Sequence, residues 1–114
     1  MATNKNRVKK YIAESINLED IYYESILSKT KTTTIRIGYV IFNDITTNLT
    51  FNSKPTIKAI IKKLDYSKTF RALDKNDAVN DGYESVDKLK NDLKKYYPDI
   101  EDDSPLTIIT FLPL

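Results

Sequence analysis

The chain has 114 residues and a formal net charge of +2, from 18 Lys and Arg against 16 Asp and Glu. That length suits one self-sufficient domain, expected to span residues 1–114. With no cysteine and no histidine, disulfide scaffolds, Cys/His zinc sites, thiol nucleophiles and Ser-His-Asp triads are excluded, and any catalysis must use Lys, Arg, Asp, Glu, Ser, Thr or Tyr.

Residues 1–75 carry 14 basic and 7 acidic side chains, a net of +7, whereas residues 76–114 carry 4 and 9, a net of −5. The basic first part favours contact with a polyanion, although two halves of opposite sign also neutralise each other in a fold. No apolar run approaches the roughly 18 residues that a membrane span needs. The polar, basic stretch Met1–Lys10 lacks the apolar core of a secretory signal. A cytoplasmic protein with no membrane partner is therefore expected.

In chain order, Met1–Asn6 reads as a frayed terminus. Arg7–Ala13 is undecided: Val8, Tyr11 and Ile12 suit a helix, but the segment is short. A helix is predicted over Leu18–Ser28, with Asn17 as N-cap and Glu19 and Asp20 in the first turn. Leu18, Ile21, Tyr22 and Ser25 form its stripe, and Lys29 stands at its C-terminal end. Lys31–Gly38 alternates as a strand, with Thr33, Ile35 and Ile37 on a core-like face. Thr32, Thr34 and Arg36 fall on the opposite, polar face, which can line a cleft. Tyr39–Phe42 and Leu49–Phe51 read as further strands, and Asn52–Pro55 as a turn.

Thr56–Leu73 fits either element on periodicity. Ile57, Ala59 and Ile61 alternate, but Ile57, Ile60, Ile61 and Leu64 also make a helical stripe. A second helix runs from Val86 to about Tyr97, capped by Ser85, striped by Val86, Leu89, Leu93 and Tyr96, and stopped by Pro98. Leu106–Leu112 alternates as a closing strand. The run Asp99, Glu101, Asp102, Asp103 reads as a solvated loop without calcium-ligand spacing. No phosphate loop, metal-ligand cluster or other cofactor motif is present, so no cofactor and no metal are expected.

Three segments, in order, resemble the ASCH family. Ile26-Leu27-Ser28-Lys29-Thr30-Lys31-Thr32-Thr33-Thr34-Ile35-Arg36 is similar to its helix end followed by I-L-x-G-x-K-T-x-T-I-R. Asp77-Ala78-Val79-Asn80-Asp81-Gly82-Tyr83-Glu84-Ser85 is similar to its D-A-x-x-E-G-F-x-S segment. Tyr97-Pro98 and then Leu106–Phe111 complete the set. The chain departs from the pattern at Lys29, where the family has Gly, at Asp81, where it has Glu, and in lacking a clear Gly-Asp step after the first strand. The resemblance implies an α+β, PUA-like (ASCH) small β-barrel of about five to six strands with two main flanking helices. It also turns Thr56–Phe70 into barrel strand.

The residues expected to matter are Lys31, Thr34, Arg36 and Asp81. Thr34 and Arg36 share a strand face. The planar guanidinium suits a phosphate or the carbonyl edge of a base, and Lys31 supplies a compact charge. With the resemblance, the first reading is an RNA- or nucleobase-binding domain, with RNA or a modified nucleoside as partner. Its cleft would be built by the threonine-rich strand and the Asp-Gly-Tyr loop. Lys58 and Lys62, in a basic stretch interleaved with Tyr66 and Phe70, would contact phosphate.

A second reading follows from family members that deacetylate N4-acetylcytidine: an amidohydrolase with Thr34 as nucleophile, Lys31 as activator or oxyanion partner, and Asp81 as acid/base. Glu84 is a possible substitute for Asp81. A ribonuclease is a third reading and a protein-interaction domain a fourth. Tyr22, Tyr23, Tyr96 and Tyr97 read as core or half-buried residues, not as platforms for bases.

Overall fold

A computed structural model describes residues 10–114; the expectations for Met1–Asn6 and for Arg7–Lys9 lie outside them. Among the described residues seven strands form two sheets. The main sheet has the order β2 (Ser15–Asn17), β5 (Thr46–Thr50), β6 (Ile57–Asp65), β7 (Leu106–Pro113), β3 (Thr33–Ile37). The small one pairs β1 (Lys10–Ala13) with β4 (Tyr39–Phe42) in parallel. β1 runs on into β2, and β4 follows β3 after Gly38. The small ladder therefore joins the chain segments that carry the two edges of the main sheet, and the sheet curls. Two main helical elements accompany it. A 3-10 turn (Asp20–Tyr22) leads into α1 (Tyr23–Leu27), and α3 spans Val86–Tyr96. A shorter helix, α2, covers Lys75–Asn80. The α+β, PUA-like architecture expected from the motifs is thus present. Among the described residues no helix is long and apolar enough to cross a membrane.

Two cores explain the alternation of β7. Ile109 and Phe111 point into the curl, with Ile16, Val40, Leu49, Ile57 and Ala59. Leu106 and Ile108 point outward, under α2 and α3, with Ile35, Leu73, Ala78, Leu89 and Leu93. Thr34 pairs with Ile109 and Arg36 with Thr107, so both stand on the inner face of β3 while Ile35 stands on the outer one.

Several boundaries differ from the sequence reading. Asn17 is a strand residue and caps no helix. Its β2 ladder to β5 is prolonged by the Leu18 N–H donating to the Thr50 carbonyl at 2.9 Å, so helical geometry begins only at Asp20. Residues 56–70 do contain a strand, but it stops at Asp65, because the Ser67 N–H and hydroxyl both turn back onto Asp65 Oδ1 at 2.9 and 2.6 Å. Phe70 instead opens a 3-10 turn. β5 starts earlier than expected, and β2 and α2 were not expected at all. For α2 the signal was in plain view. Asp74 and Asp77 form a reciprocal capping box, and Lys68 bridges both carboxylates at 3.1 and 2.5 Å.

Candidate functional site: a cleft at the seam of the sheet

β2 and β3 are the edges of the main sheet, and no ladder pairs them. Arg36 spans the gap: its Nη2 donates to the Asn17 carbonyl on β2 at 2.8 Å. Its Nη1 donates to the Thr34 hydroxyl and to the Ile35 carbonyl. Three of five guanidinium donors are thus held by protein. The Nε has no hydrogen-bond partner among the described residues, and no fully buried side-chain nitrogen or oxygen there lacks one, so Nε keeps access to the space beside it. Beside Arg36 lies a cleft of about 450 Å³, which Lys31, Thr34, Asp81, Glu19 and four tyrosines (Tyr22, Tyr83, Tyr96 and Tyr97) also line. A second cleft of about 390 Å³ lies against Arg36, Asn17 and Tyr97, towards Val40 and Phe42.

Two helix endings of one type deliver the polar groups. At the end of α2, Tyr83 N–H donates to the Ala78 carbonyl at 2.8 Å and Gly82 N–H to Val79 at 3.0 Å. This is a Schellman motif with Gly82, at φ 91°, in the left-handed position. It turns Asp81 inward and Tyr83 into the cleft. At the end of α1, Thr30 N–H donates to Ser25 at 3.0 Å and Lys29 N–H to Ile26 at 3.1 Å. This is the same motif, with Lys29 at φ 66° where glycine is favoured. The departure from the family pattern at Lys29 is therefore a side chain held in a left-handed conformation.

These endings bring Lys31 and Asp81 together across 50 residues of sequence. Lys31 Nζ donates to Asp81 Oδ1 at 3.0 Å and to the Asp81 carbonyl at 2.9 Å. The Thr33 hydroxyl donates to the same Oδ1 at 3.0 Å. Both side chains are almost wholly buried, at 3 % and 6 % exposure. Burial pushes the Lys31 ammonium below its ordinary pKa and the Asp81 carboxyl above its own, and in each case their mutual attraction opposes the shift. Lys31 Nζ also stands 4.7 Å from the centre of the Tyr22 ring.

The four residues expected to act together thus line one cleft, although they divide into two sets of contacts. Lys31 and Asp81 bind each other and Thr33, whereas the Thr34 hydroxyl serves Arg36. Lys58 and Lys62 are not brought to the cleft. Both are exposed on β6, where a register shift between Ile61 and Lys63 breaks the strand period around Lys62. Glu84 is not a substitute for Asp81, because it is exposed and paired with Lys88 at 2.7 Å. The tyrosine wall was missed. Tyr22 and Tyr97 are half-buried as expected, but they and Tyr96 face the cleft and not only the core. Among the described residues no group of three or more acidic side chains is placed to hold a metal ion.

This curled sheet, with α2 and α3 on its outer face and α1 against its inner core, has the fold of solved ASCH domains. The chain superimposes on the crystal structure of an ASCH domain from Lactobacillus crispatus with a TM-score of 0.71 and 10 % identity, covering 97 % of this chain and 83 % of that one. It superimposes on the crystal structure of the hypothetical protein PH0355 with a TM-score of 0.63 and 18 % identity, covering 93 % of this chain and 100 % of that one. No protein-family model and no curated protein matches the sequence. At these identities the likeness is one of fold, which agrees with the fold implied by the motifs.

Proposed function

We propose that the domain binds single-stranded RNA or a nucleoside by taking one base into the cleft beside Arg36. The observation that carries this reading is the composition of the wall: four tyrosines, two cations and two carboxylates around about 450 Å³. A balanced charge with aromatic faces suits a neutral planar heterocycle better than a polyphosphate. Stacking on such rings contributes about 1–3 kcal/mol per base. Phosphates would be met outside the cleft, where Lys58 and Lys62 are exposed.

The test is anisotropy titration of a labelled short single-stranded RNA at several salt concentrations. Affinity should fall as salt rises. It should also fall roughly 5- to 100-fold in Tyr96→Ala, which removes one exposed ring from the rim, with unchanged thermal unfolding. Salt-indifferent binding, or no effect of Tyr96→Ala, would count against the reading.

One observation favours a second reading, an amidohydrolase acting on N4-acetylcytidine: Lys31, Thr34 and Asp81 all line the same cleft. In that scheme the Thr34 hydroxyl passes its proton to the Lys31–Asp81 pair as its oxygen attacks the amide carbonyl, and the pair hands that proton to the nitrogen as the C–N bond breaks and the amine leaves. Water then cleaves the acyl ester, returning one proton to Thr34 and releasing acetate, whose proton passes to solvent. Release of cytidine and acetate, lost in Thr34→Val, is the expected result. No cytidine at high protein concentration would rule this reaction out.

A further inference from the structure

A chain of hydroxyls leads out of the cleft to a carboxylate on α3. Tyr83 OH lies 2.8 Å from Asp92 Oδ2, and Tyr22 OH lies 2.9 Å from Tyr83 OH. An ionised carboxylate has no proton to give, so Tyr83 must donate to Asp92. Having spent its single proton there, Tyr83 can only accept from Tyr22. The remaining alternative for the Tyr22 proton, Asp92 Oδ2 itself at 3.5 Å, has the same consequence. Either way the Tyr22 proton is committed to Tyr83 or Asp92, and the Tyr22 oxygen offers only lone pairs to a ligand. Burial holds both phenols above their ordinary pKa, so neither loses its proton in the neutral range. Of the two carboxylates on this wall, Glu19 is engaged by the Tyr96 hydroxyl, and Asp81 accepts from Lys31 and Thr33 through Oδ1. Lys31 and Arg36 offer only donors.

From this polarity we infer that Asp92, through Tyr83, fixes Tyr22 as an acceptor that selects bases carrying an exocyclic amine over those carrying a carbonyl at the same position. The inference rests on the nucleotide-binding reading of the cleft. An amine places an N–H against the Tyr22 oxygen and leaves ring nitrogens or carbonyls for Arg36 and Lys31. A carbonyl there sets lone pair against lone pair, which the relay cannot relieve by turning a hydroxyl round while its protons are committed towards Asp92. Asp92 and Tyr83 act as positioning residues, and Tyr22 makes the contact.

The experiment is calorimetric binding of two matched pairs to the intact chain: CMP against UMP, and AMP against IMP. The amine-bearing member of each pair should bind on the order of 10-fold more tightly. Asp92→Asn replaces the acceptor-only group with one that can also donate, so the relay can reverse. The preference should then shrink towards unity while both nucleotides still bind. Tyr22→Phe should abolish the preference as well. Equal binding of CMP and UMP to the unaltered chain would overturn the inference and leave the nucleotide reading standing. A preference that survives Asp92→Asn would overturn the relay. Failure of all four nucleotides and of short RNA to bind would overturn both readings together.

Discussion

Replacing Lys31 by Met keeps most of the side-chain volume and deletes only the ammonium, which isolates the electrostatics of the buried pair. Asp81 would keep the Thr33 hydroxyl at 3.0 Å but lose the cation at 3.0 Å, in a site where its side chain is 6 % exposed. Removing one member of such a pair costs about 3–5 kcal/mol. In a domain of this size that is a fall in Tm on the order of 10–20 °C at pH 7.

The pH dependence gives the sharper test. Burial already raises the Asp81 pKa, and Lys31 is the main group opposing that rise; without it the carboxyl moves higher still. A group whose pKa is raised on folding contributes stability below its unfolded value, near 4 for Asp, and loses it as pH climbs through the folded value. The variant should therefore be relatively stable in mild acid. Across that window it should lose up to about 1.4 kcal/mol per pH unit more than the parent chain. Urea titrations at half-unit steps from pH 4.5 to 8 measure this directly. Lys31→Met/Asp81→Leu should recover most of the loss and flatten the profile. A deficit that does not vary with pH, or one that the second substitution leaves in place, would refute the electrostatic account.

The two helix endings make opposite predictions from one geometry. Lys29→Gly, at φ 66° on an exposed position, should stabilise the fold by about 1 kcal/mol in denaturant titration. Gly82→Ala, at φ 91° and with the new Cβ 3.4 Å from Lys31 Cβ, should destabilise it by roughly 1–2 kcal/mol. It should also weaken base binding by displacing Asp81 and Tyr83.

Much of the fold was legible because alternation and capping are local. Ile35 against Thr34 and Arg36, Ile109 and Phe111 against Leu106 and Ile108, and Ser85 before the stripe of α3 all express themselves within a few residues. β2 was missed because three residues carry no period, and Lys29 looked like an ordinary C-terminal cation because the sign of φ is not written in composition. The tyrosine wall was hidden for a different reason. Tyr22 and Tyr83 meet across 61 residues at 2.9 Å, and each sits on a local pattern that a half-buried core residue explains equally well. Thr34 and Arg36 already fell on the polar face of their strand by alternation, whereas Lys31 and Asp81 joined them only through a resemblance. Their division into an ion pair and a guanidinium bridge depends on strand faces and helix endings that spacing alone leaves open.

The position of the cleft follows from how the sheet fails to close. Ladders satisfy β5, β6 and β7 on both sides, all antiparallel except the parallel pairing of β5 with β2, but β2 and β3 each keep one edge of backbone donors and acceptors. The β1–β4 ladder ties the segments flanking these strands without pairing the strands themselves. A longer β2 in register with β3 would bury the gap and leave no site. Instead one guanidinium stands in for a ladder, holding the Asn17 carbonyl on one edge and the Ile35 carbonyl on the other. That leaves its Nε, the tyrosine rings and the Lys31–Asp81 pair around open space. Arg36 is therefore both a fastening of the barrel and a donor to whatever enters the gap. For that reason Arg36→Ala should lower Tm and ligand affinity together, whereas Tyr22→Phe and Tyr96→Ala should change recognition and leave the melting transition where it was.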